Sequence, residues 1–389
     1  MAIKKRFEVV HCIASPYRVH MFSEMYRQLS ARDIDFHVHF MSDMSRGYDS
    51  RPTSWRNPKM DFPYTYWRDW GYSHYDFNPG MIWHLLLHRP DWLLVGSCYD
   101  TFTGVLASIV CPSRKSKICW LEGNTKTPNR LSGLIASVKH FVMSRFTYVG
   151  VPGTDAARFI SLHQENTRLK MPIPVILPNI VDESRFRPRE AWDVHEIRAI
   201  RNRLGVLPNE RLALTPARLE LAKGLVPYLR ILDRTMLRGW KIVVMGKGSL
   251  QNEVSQIIQT NNLGSVVKVL DYIPYNEMPK MYAAADLFVL PSIFDPNPLS
   301  VVEALHSGLP VAVSQMAGNV EDAVTEGENG WVLPVKNGEF FAKTLKEIFS
   351  TPIERLQEMG RCSHVNKARF WNSRESVSNF LNTIMCHNL

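Results

Sequence analysis

The chain has 389 residues, 45% of them hydrophobic, and carries 46 Lys and Arg against 37 Asp and Glu, a formal charge of +9. That length is too great for one ordinary domain and fits two of about 150–200 residues, and the apolar share fills two cores and excludes a largely disordered chain. No run approaches the roughly 18–20 apolar residues of a helical membrane span, while the positive balance points to anionic partners: nucleic acid, diphosphates or an acidic membrane.

The opening MAIKKRFEVVHCIAS is basic and then apolar, but Glu8 and His11 interrupt it and no cleavage-like site follows, so it reads as a first β-strand and not a signal peptide. Apolar runs then alternate with helical patterns, the grammar of βα units and parallel sheets. Strands are predicted over 7–13, 36–41, 92–95, 117–121, 147–149 and 174–176, and again over 211–215, 241–245, 266–270, 287–290 and 311–314. Between the two series, LPNIVDESRFRPREAWD breaks the periodicity at Pro178, Asn179 and Pro188. The expected organisation is an N-terminal domain over 1–182, a C-terminal domain over 183–365, and a helical tail over 366–389 that returns to the first domain. Cys12, Cys98, Cys111, Cys119, Cys362 and Cys386 form no C-x-x-C pair and read as reduced core residues of a cytoplasmic protein.

Several segments have two readings. Residues 42–80 look irregular and crowd Tyr48, Trp55, Tyr64, Tyr66, Trp67, Trp70, Tyr72, Tyr75 and Phe77 together. Such rings stack on sugars, lie at membrane interfaces, or fold back onto their own core. Residues 131–146 fit either a membrane-surface helix or a core-facing amphipathic one. Asp33-Ile34-Asp35 spells Asp-x-Asp, but in a predicted turn, where a surface role is the better reading. His37 and His39 share a strand face with no carboxylate or cysteine at metal-ligand spacing, so they read as core or surface histidines, and no metal site is expected.

The most chemical stretch is PSIFDPNPLSVVE, 291–303, where Asp295 and Glu303 lie on a strand-to-helix turn with seven residues between them. Ligands of open α/β sheets bind at the carboxyl ends of strands, and N–H groups at a helix start can face a phosphate; the acids alone could equally serve the helix dipole. A second stretch, LTPARLELAKGLVPYLRIL, 214–232, places Arg218 and Lys223 beside a predicted helix start near Gly224. Two cations there suit a diphosphate, or form a solvated face. Gly246 and Gly248 follow a predicted strand as a G-x-G turn, a weak phosphate signal alone.

Taken together these stretches resemble the retaining GT-B glycosyltransferases of family 4. Pro291, Ser292, Asp295, Pro296, Asn297, Pro298, Leu299, Glu303 and Ala304 are similar to that family's Pro-Ser-x-x-Glu-Gly-Phe-Gly-Leu-x-x-x-Glu-Ala, with Asp for the first Glu and Pro-Asn-Pro for Gly-Phe-Gly. Residues 217–224 resemble its Gly-Arg-Leu-x-x-x-Lys-Gly, with Ala217 for the leading Gly, and 178–182 its interdomain crossover. The implied fold is α/β, with two Rossmann-like parallel-sheet domains facing across a cleft. The resemblance gives Arg218 and Lys223 the leaving diphosphate, Asp295 the donor sugar and Glu303 the ribose hydroxyls. It gives Gly246 and Ile273 backbone contacts to the donor, and Asn297, Pro298, Leu299 and Ser300 the phosphate turn. Pro298 has no N–H, so Leu299 and Ser300 would donate there.

In the first half, Pro16, Tyr17 and Arg18 resemble a Pro-Tyr-Arg-Val seen in some members at the loop where others have Gly-Gly. Arg18 would supply charge in place of those glycines, or be a surface residue of the helix's first turn. Glu122 stands where relatives place His or Glu, followed by Asn124. It could orient or deprotonate an acceptor hydroxyl, or be a capping or salt-bridged acid. The resemblance implies metal-independent retaining transfer of a hexose-type sugar from a nucleotide diphosphate sugar, with UDP favoured, to a glycan or lipid-linked acceptor of polysaccharide, lipopolysaccharide or glycolipid synthesis. No cofactor beyond the co-substrate is implied. A cytoplasmic chain with an anionic membrane surface as candidate partner fits the composition. Nucleic acid does not, because no RRM, KH or zinc-finger pattern occurs. The rival readings are a GT-B sugar-nucleotide epimerase, a soluble-acceptor transferase, and a non-catalytic nucleotide or nucleic-acid binder.

Overall fold

The computed structural model describes residues 4–43, 59–71, 76–96, 98–127, 133–271 and 273–386. The chain divides into two compact units, Met1–Ile180 with Ser373–Leu389, and Val181–Asn372.

The first unit runs β1 (Lys5–His11), α1 (Pro16–Ser30), β2 (Ile34–Phe40), β3 (Tyr64–Tyr66), α2 (Pro79–His88), β4 (Trp92–Gly96), α3 (Phe102–Val110), β5 (Ser116–Trp120), α4 (Leu134–Met143), β6 (Tyr148–Val151), α5 (Thr154–Glu165) and β7 (Ile173–Ile176). Its strands pair in parallel in the order β3-β2-β1-β4-β5-β6-β7. One core layer, with Phe7, Phe22, Met25, Val38 and Phe380, covers the α1 side, and a second, with Val10, Met81, Leu85, Val149 and Ile160, covers the α2–α5 side. Strands buried on both faces read as continuous apolar runs, and β4, WLLVG, is the plainest case.

The second unit runs α6 (Val194–Leu204), β8 (Arg211–Pro216), α7 (Leu225–Ile231), β9 (Trp240–Met245), α8 (Gln251–Thr260), β10 (Val267–Leu270), α9 (Met278–Ala284), β11 (Leu287–Leu290), α10 (Leu299–His306), β12 (Val311–Ser314), α11 (Val320–Ala323), β13 (Gly330–Leu333), α12 (Gly338–Ser350) and α13 (Ile353–Cys362). The parallel order is β10-β9-β8-β11-β12-β13, so strand order reverses between β8 and β11. Buried Asp286 ties the segment before β8 to the sheet, accepting from Arg189 at 2.8 Å and Arg201 at 2.9 Å. The last helix, α14 (Ser373–Cys386), packs on α1 and β7 of the first unit.

Four expectations change. Residues 42–80 are not wholly irregular: β3 lies there, an edge strand of three residues, too short for an alternation to register. Tyr48, Trp55, Tyr72 and Tyr75 fall outside the described residues. Of the other aromatics in that segment, Tyr66 packs 5.3 Å from Phe40, the Trp67 indole bonds His39, and Trp70 is exposed. The strand β13 leaves no signal in the sequence, because Gly330 opens it and only three residues follow. The cysteines are not all core residues: Cys98, Cys111 and Cys119 are buried, whereas Cys12 and Cys362 are half-buried and Cys386 is exposed. Finally, α4 is apolar on two sides, burying Ala136, Val142 and Met143 while Leu134, Ile135, Val138 and Phe141 face outward.

Candidate active site

In the second unit, the loops after β8 and β11 flank the point where strand order reverses, the place where open α/β sheets hold ligands. These loops are the two sequence motifs, and the main chain joins them. The N–H groups of Ile293 and Phe294 both donate to the Ala222 carbonyl, at 2.8 and 3.1 Å. Gly224 has a φ of +65°, and a Cβ there would stand 2.0 Å from the Pro291 carbonyl oxygen, so the crossing requires glycine. The result is an ion pair between Lys223 and Asp295, whose side chains are 18% and 8% exposed. Asp295 is held in turn by the next loop: Gly318 N–H donates to its carbonyl at 2.9 Å.

The G-x-G turn closes on the same loop from the other side. A Cβ on Gly246, φ +155°, would lie 2.3 Å from the Ala217 carbonyl oxygen, and one on Gly248 2.3 Å from that of Leu219. The N–H of Gly246 is spent on the Leu270 carbonyl at 2.9 Å, so this glycine serves close approach of two main chains and has no N–H to offer a donor. Glu220 locks the turn by accepting from the Ser249 hydroxyl (2.7 Å) and N–H (3.0 Å), bonds that hold its carboxyl below the usual range. Arg218, between these fixed points, is exposed, and its side chain makes no hydrogen bond or ion pair among the described residues.

Pro298 caps α10, and the N–H groups of Leu299 and Ser300 have no acceptor among the described residues, leaving two donors at a helix start. Asn297 is buried with Oδ1 unpartnered there. The sequence reading missed Asn319, which is 1% exposed, donates Nδ2 to the Pro298 carbonyl at 3.1 Å and keeps a buried, unpartnered Oδ1. A buried acceptor without a donor costs about 1–3 kcal/mol and marks a place for a ligand or water. Its position just past β12, at the same sheet edge, was the available signal.

Glu303 lies one turn into α10 and accepts at Oε2 from the Tyr282 hydroxyl, 2.6 Å away. Burial pushes its carboxyl up to about 7, against the opposing pull of that hydroxyl and of Arg185. Arg185 is fixed by donating to the Tyr275 carbonyl at 2.7 Å and lying 3.8 Å over the Tyr275 ring. Ile273 packs half-buried against the core beside this group. A carboxylate in such surroundings gains most from hydroxyl donors, which stabilise its charged form.

In the first unit Arg18 is not a surface residue. Although in the first turn of α1, its side chain is 5% exposed; it pairs with Glu122, donates to Asn179 Oδ1 at 2.8 Å and lies 3.6 Å over the Trp120 ring. Asn179 Nδ2 also donates to Glu122, at 3.1 Å. Glu122 is thus salt-bridged at one oxygen while 39% of its side chain stays accessible. Pro16 opens the helix and Tyr17 is half-buried, 4.9 Å under the Arg18 guanidinium. The Asn124 side chain accepts from the Lys126 N–H at 2.9 Å and the Thr127 hydroxyl at 3.2 Å, which shapes its own loop.

The histidine reading needs a correction, because His39 does have a carboxylate beside it: Glu8 Oε2 lies 3.4 Å from its Nε2. With His84 the three offer ligand atoms within 4.8 Å of one another, close enough to consider a cation. The Trp67 indole N–H, which can only donate, points at His39 Nδ1 from 3.0 Å. His39 Nδ1 thus accepts from Trp67, while Nε2 faces Glu8. The sequence hid this because Glu8 and His39 come from neighbouring strands 31 residues apart. Asp33 and Asp35 both pair with Lys4, at 3.2 and 3.0 Å, on the surface.

Residues 196–363 match the family described as Glycosyl transferases group 1. Over 176 residues the chain is 28% identical to an uncharacterized glycosyltransferase of Methanocaldococcus jannaschii, covering 45% of this chain and 44% of that one. Over 175 residues it is 29% identical to a UDP-Gal:alpha-D-GlcNAc-diphosphoundecaprenol alpha-1,3-galactosyltransferase of Escherichia coli, covering 42% and 43%. The matched stretch thus spans less than half the length of these relatives. Similarity to solved structures spans the chain: HepE of Anabaena in complex with UDP superposes with a TM-score of 0.73 at 16% identity, covering 98% of this chain and 100% of that one. The lipopolysaccharide outer core galactosyltransferase WaaB gives 0.69 at 13%, covering 98% and 99%. Two parallel-sheet α/β units with these neighbours make the fold GT-B.

Proposed function

We propose that the chain is a metal-independent, retaining glycosyltransferase of family 4 that moves a hexose-type sugar from a nucleotide diphosphate sugar, UDP favoured, to a glycan or lipid-linked acceptor in cell-surface polysaccharide or glycolipid synthesis. The observation that carries this reading is the main-chain junction of the 218–224 and 291–295 loops, which sets Lys223 against Asp295 beside exposed Arg218 and the open N–H groups of α10. Charge grows on the diphosphate as its bond to the sugar breaks, and fixed cations and helix-start donors stabilise that charge more than the ground state. They supply what a divalent ion supplies elsewhere. Asp295 pairs with Lys223; a diphosphate would compete for the ammonium and free Asp295 to take a sugar hydroxyl. Glu303, with one oxygen held by Tyr282, offers the other to the ribose.

UDP is supported by the UDP in the complex of HepE and by the UDP-galactose named for the Escherichia coli relative. The same relative's lipid diphosphate acceptor supports a lipid-linked acceptor, and a cytoplasmic setting belongs to that reading. In the first unit, Glu122 orients or deprotonates the acceptor hydroxyl, with Arg18 and Asn179 holding its side chain in place. Front-side displacement on the donor gives retention without a carboxylate nucleophile.

Transfer or hydrolysis of a labelled UDP-sugar tests the reading. Lys223→Ala and Glu303→Ala are each expected to reduce turnover by about 100-fold or more. Unchanged turnover in both rejects the site, and release of an epimerised nucleotide sugar would replace transfer with epimerisation.

A further inference from the structure

One face of the first unit is apolar outside as well as inside. The helices α2, α3 and α4 lie in succession over one side of the sheet, α2 against α3 and α3 against α4. Away from the core they present Trp83 (65% exposed) and Leu87 on α2, Phe102 on α3, and Leu134 (82% exposed), Val138 and Phe141 on α4. The α4 trio falls at i, i+4 and i+7, one continuous stripe. Clusters of exposed apolar side chains mark surfaces that meet a partner or a membrane.

Charge narrows the occupant. None of the three helices contains Asp or Glu. Their ends carry cations: Arg89 at the close of α2, Arg114 after α3 and Arg145 after α4, all exposed, with the Arg145 guanidinium 4.5 Å over the Phe141 ring. The exposed acid close by is Asp100, ahead of α3 and facing Lys139. An apolar stripe with Trp at its edge, arginines around it and no acid on its helices matches the boundary between acyl chains and anionic headgroups. No helix among the described residues is long and apolar enough to cross a membrane.

The geometry points to an anionic lipid bilayer as the partner of the α2–α3–α4 face, with Trp83, Leu134, Val138 and Phe141 entering the acyl boundary and Arg89, Arg114 and Arg145 meeting lipid phosphates. This inference stands apart from the donor site, since it uses none of that site's residues. The test is flotation of the full chain with phosphatidylcholine vesicles with and without phosphatidylglycerol. The chain is expected to float with the anionic vesicles at low salt and to lose at least about tenfold in partitioning when Leu134→Ser, Val138→Ser and Phe141→Ser are combined. Arg114→Ala with Arg145→Ala should weaken binding and flatten its salt dependence. UDP affinity and thermal unfolding are expected to stay unchanged in both variants, which shows that the fold and donor site survive. A chain that stays in solution with anionic vesicles at low salt overturns the inference, as does a serine variant that floats like the parent. A concentration-dependent dimer that the serine changes abolish, without vesicle binding, would also overturn it and assign the face to a second copy of the chain.

Discussion

The two units build their candidate sites from different materials. In the second, main chain meets main chain: Gly224 against Pro291, Gly246 against Ala217, Gly248 against Leu219, with Ala222 accepting from two residues of the facing loop. In the first, the site is a cluster of long side chains, Arg18, Glu122 and Asn179, brought together from positions 104 and 161 residues apart and stacked on Trp120. A backbone-built site fixes its cations through the sheet itself and tolerates little change at its glycines. A site built from side chains depends on each charge keeping its partner.

The sharpest break of that contrast comes from Gly224→Ala. A Cβ 2.0 Å from a carbonyl oxygen, at positive φ, forces the two loops apart. A loss of about 2–4 kcal/mol in urea unfolding is expected, with UDP affinity falling more steeply than stability accounts for. Normal affinity in this variant would mean that the junction does not set the donor site.

Next in size is Arg18→Leu in the first unit, which strips Asn179 Oδ1 of its donor and Glu122 of its ion-pair partner, leaving Glu122 the Asn179 amide. Removing one partner of a buried pair costs several kcal/mol, but Glu122 is more than a third accessible and water can serve it, so about 2 kcal/mol is expected. Here UDP affinity should hold while transfer falls. The opposite split would erase the distinction between the units.

A smaller effect comes with pH. With its carboxyl raised to about 7, Glu303 favours the protonated form in the folded chain. Its stabilising contribution is complete below the ordinary value of 4.5 and is lost as pH rises through about 7. A ribose donating to the ionised carboxylate reverses the preference. Affinity for a UDP-sugar, whose diphosphate does not titrate in this range, should therefore rise from pH 6 to 8 and fall by up to about tenfold per unit below 7. Tyr282→Phe removes a bond to the charged form and should move that midpoint upward. A flat profile in calorimetry would take Glu303 out of nucleotide contact. Smallest of all, Asp33→Asn with Asp35→Asn should leave transfer and melting temperature unchanged, because both acids sit on the surface with Lys4 as their partner.

Sequence by itself determined the alternation of strands and helices, because strands buried on both faces must be written as apolar runs, and it determined the second unit's motifs. Close main-chain approach demands glycine at 224 and 246, and prolines and acids must follow β11 in fixed spacing, so local order in the chain carries that geometry. Tertiary structure alone decided the rest. It buried Arg18 and gave it Glu122 and Asn179, set Glu8 and Trp67 beside His39, and brought Asn319 to the start of α10. It also showed that α4 is apolar on both sides. These outcomes depend on contacts between side chains far apart in sequence, and on which helix face a neighbour covers, neither of which leaves a periodic trace.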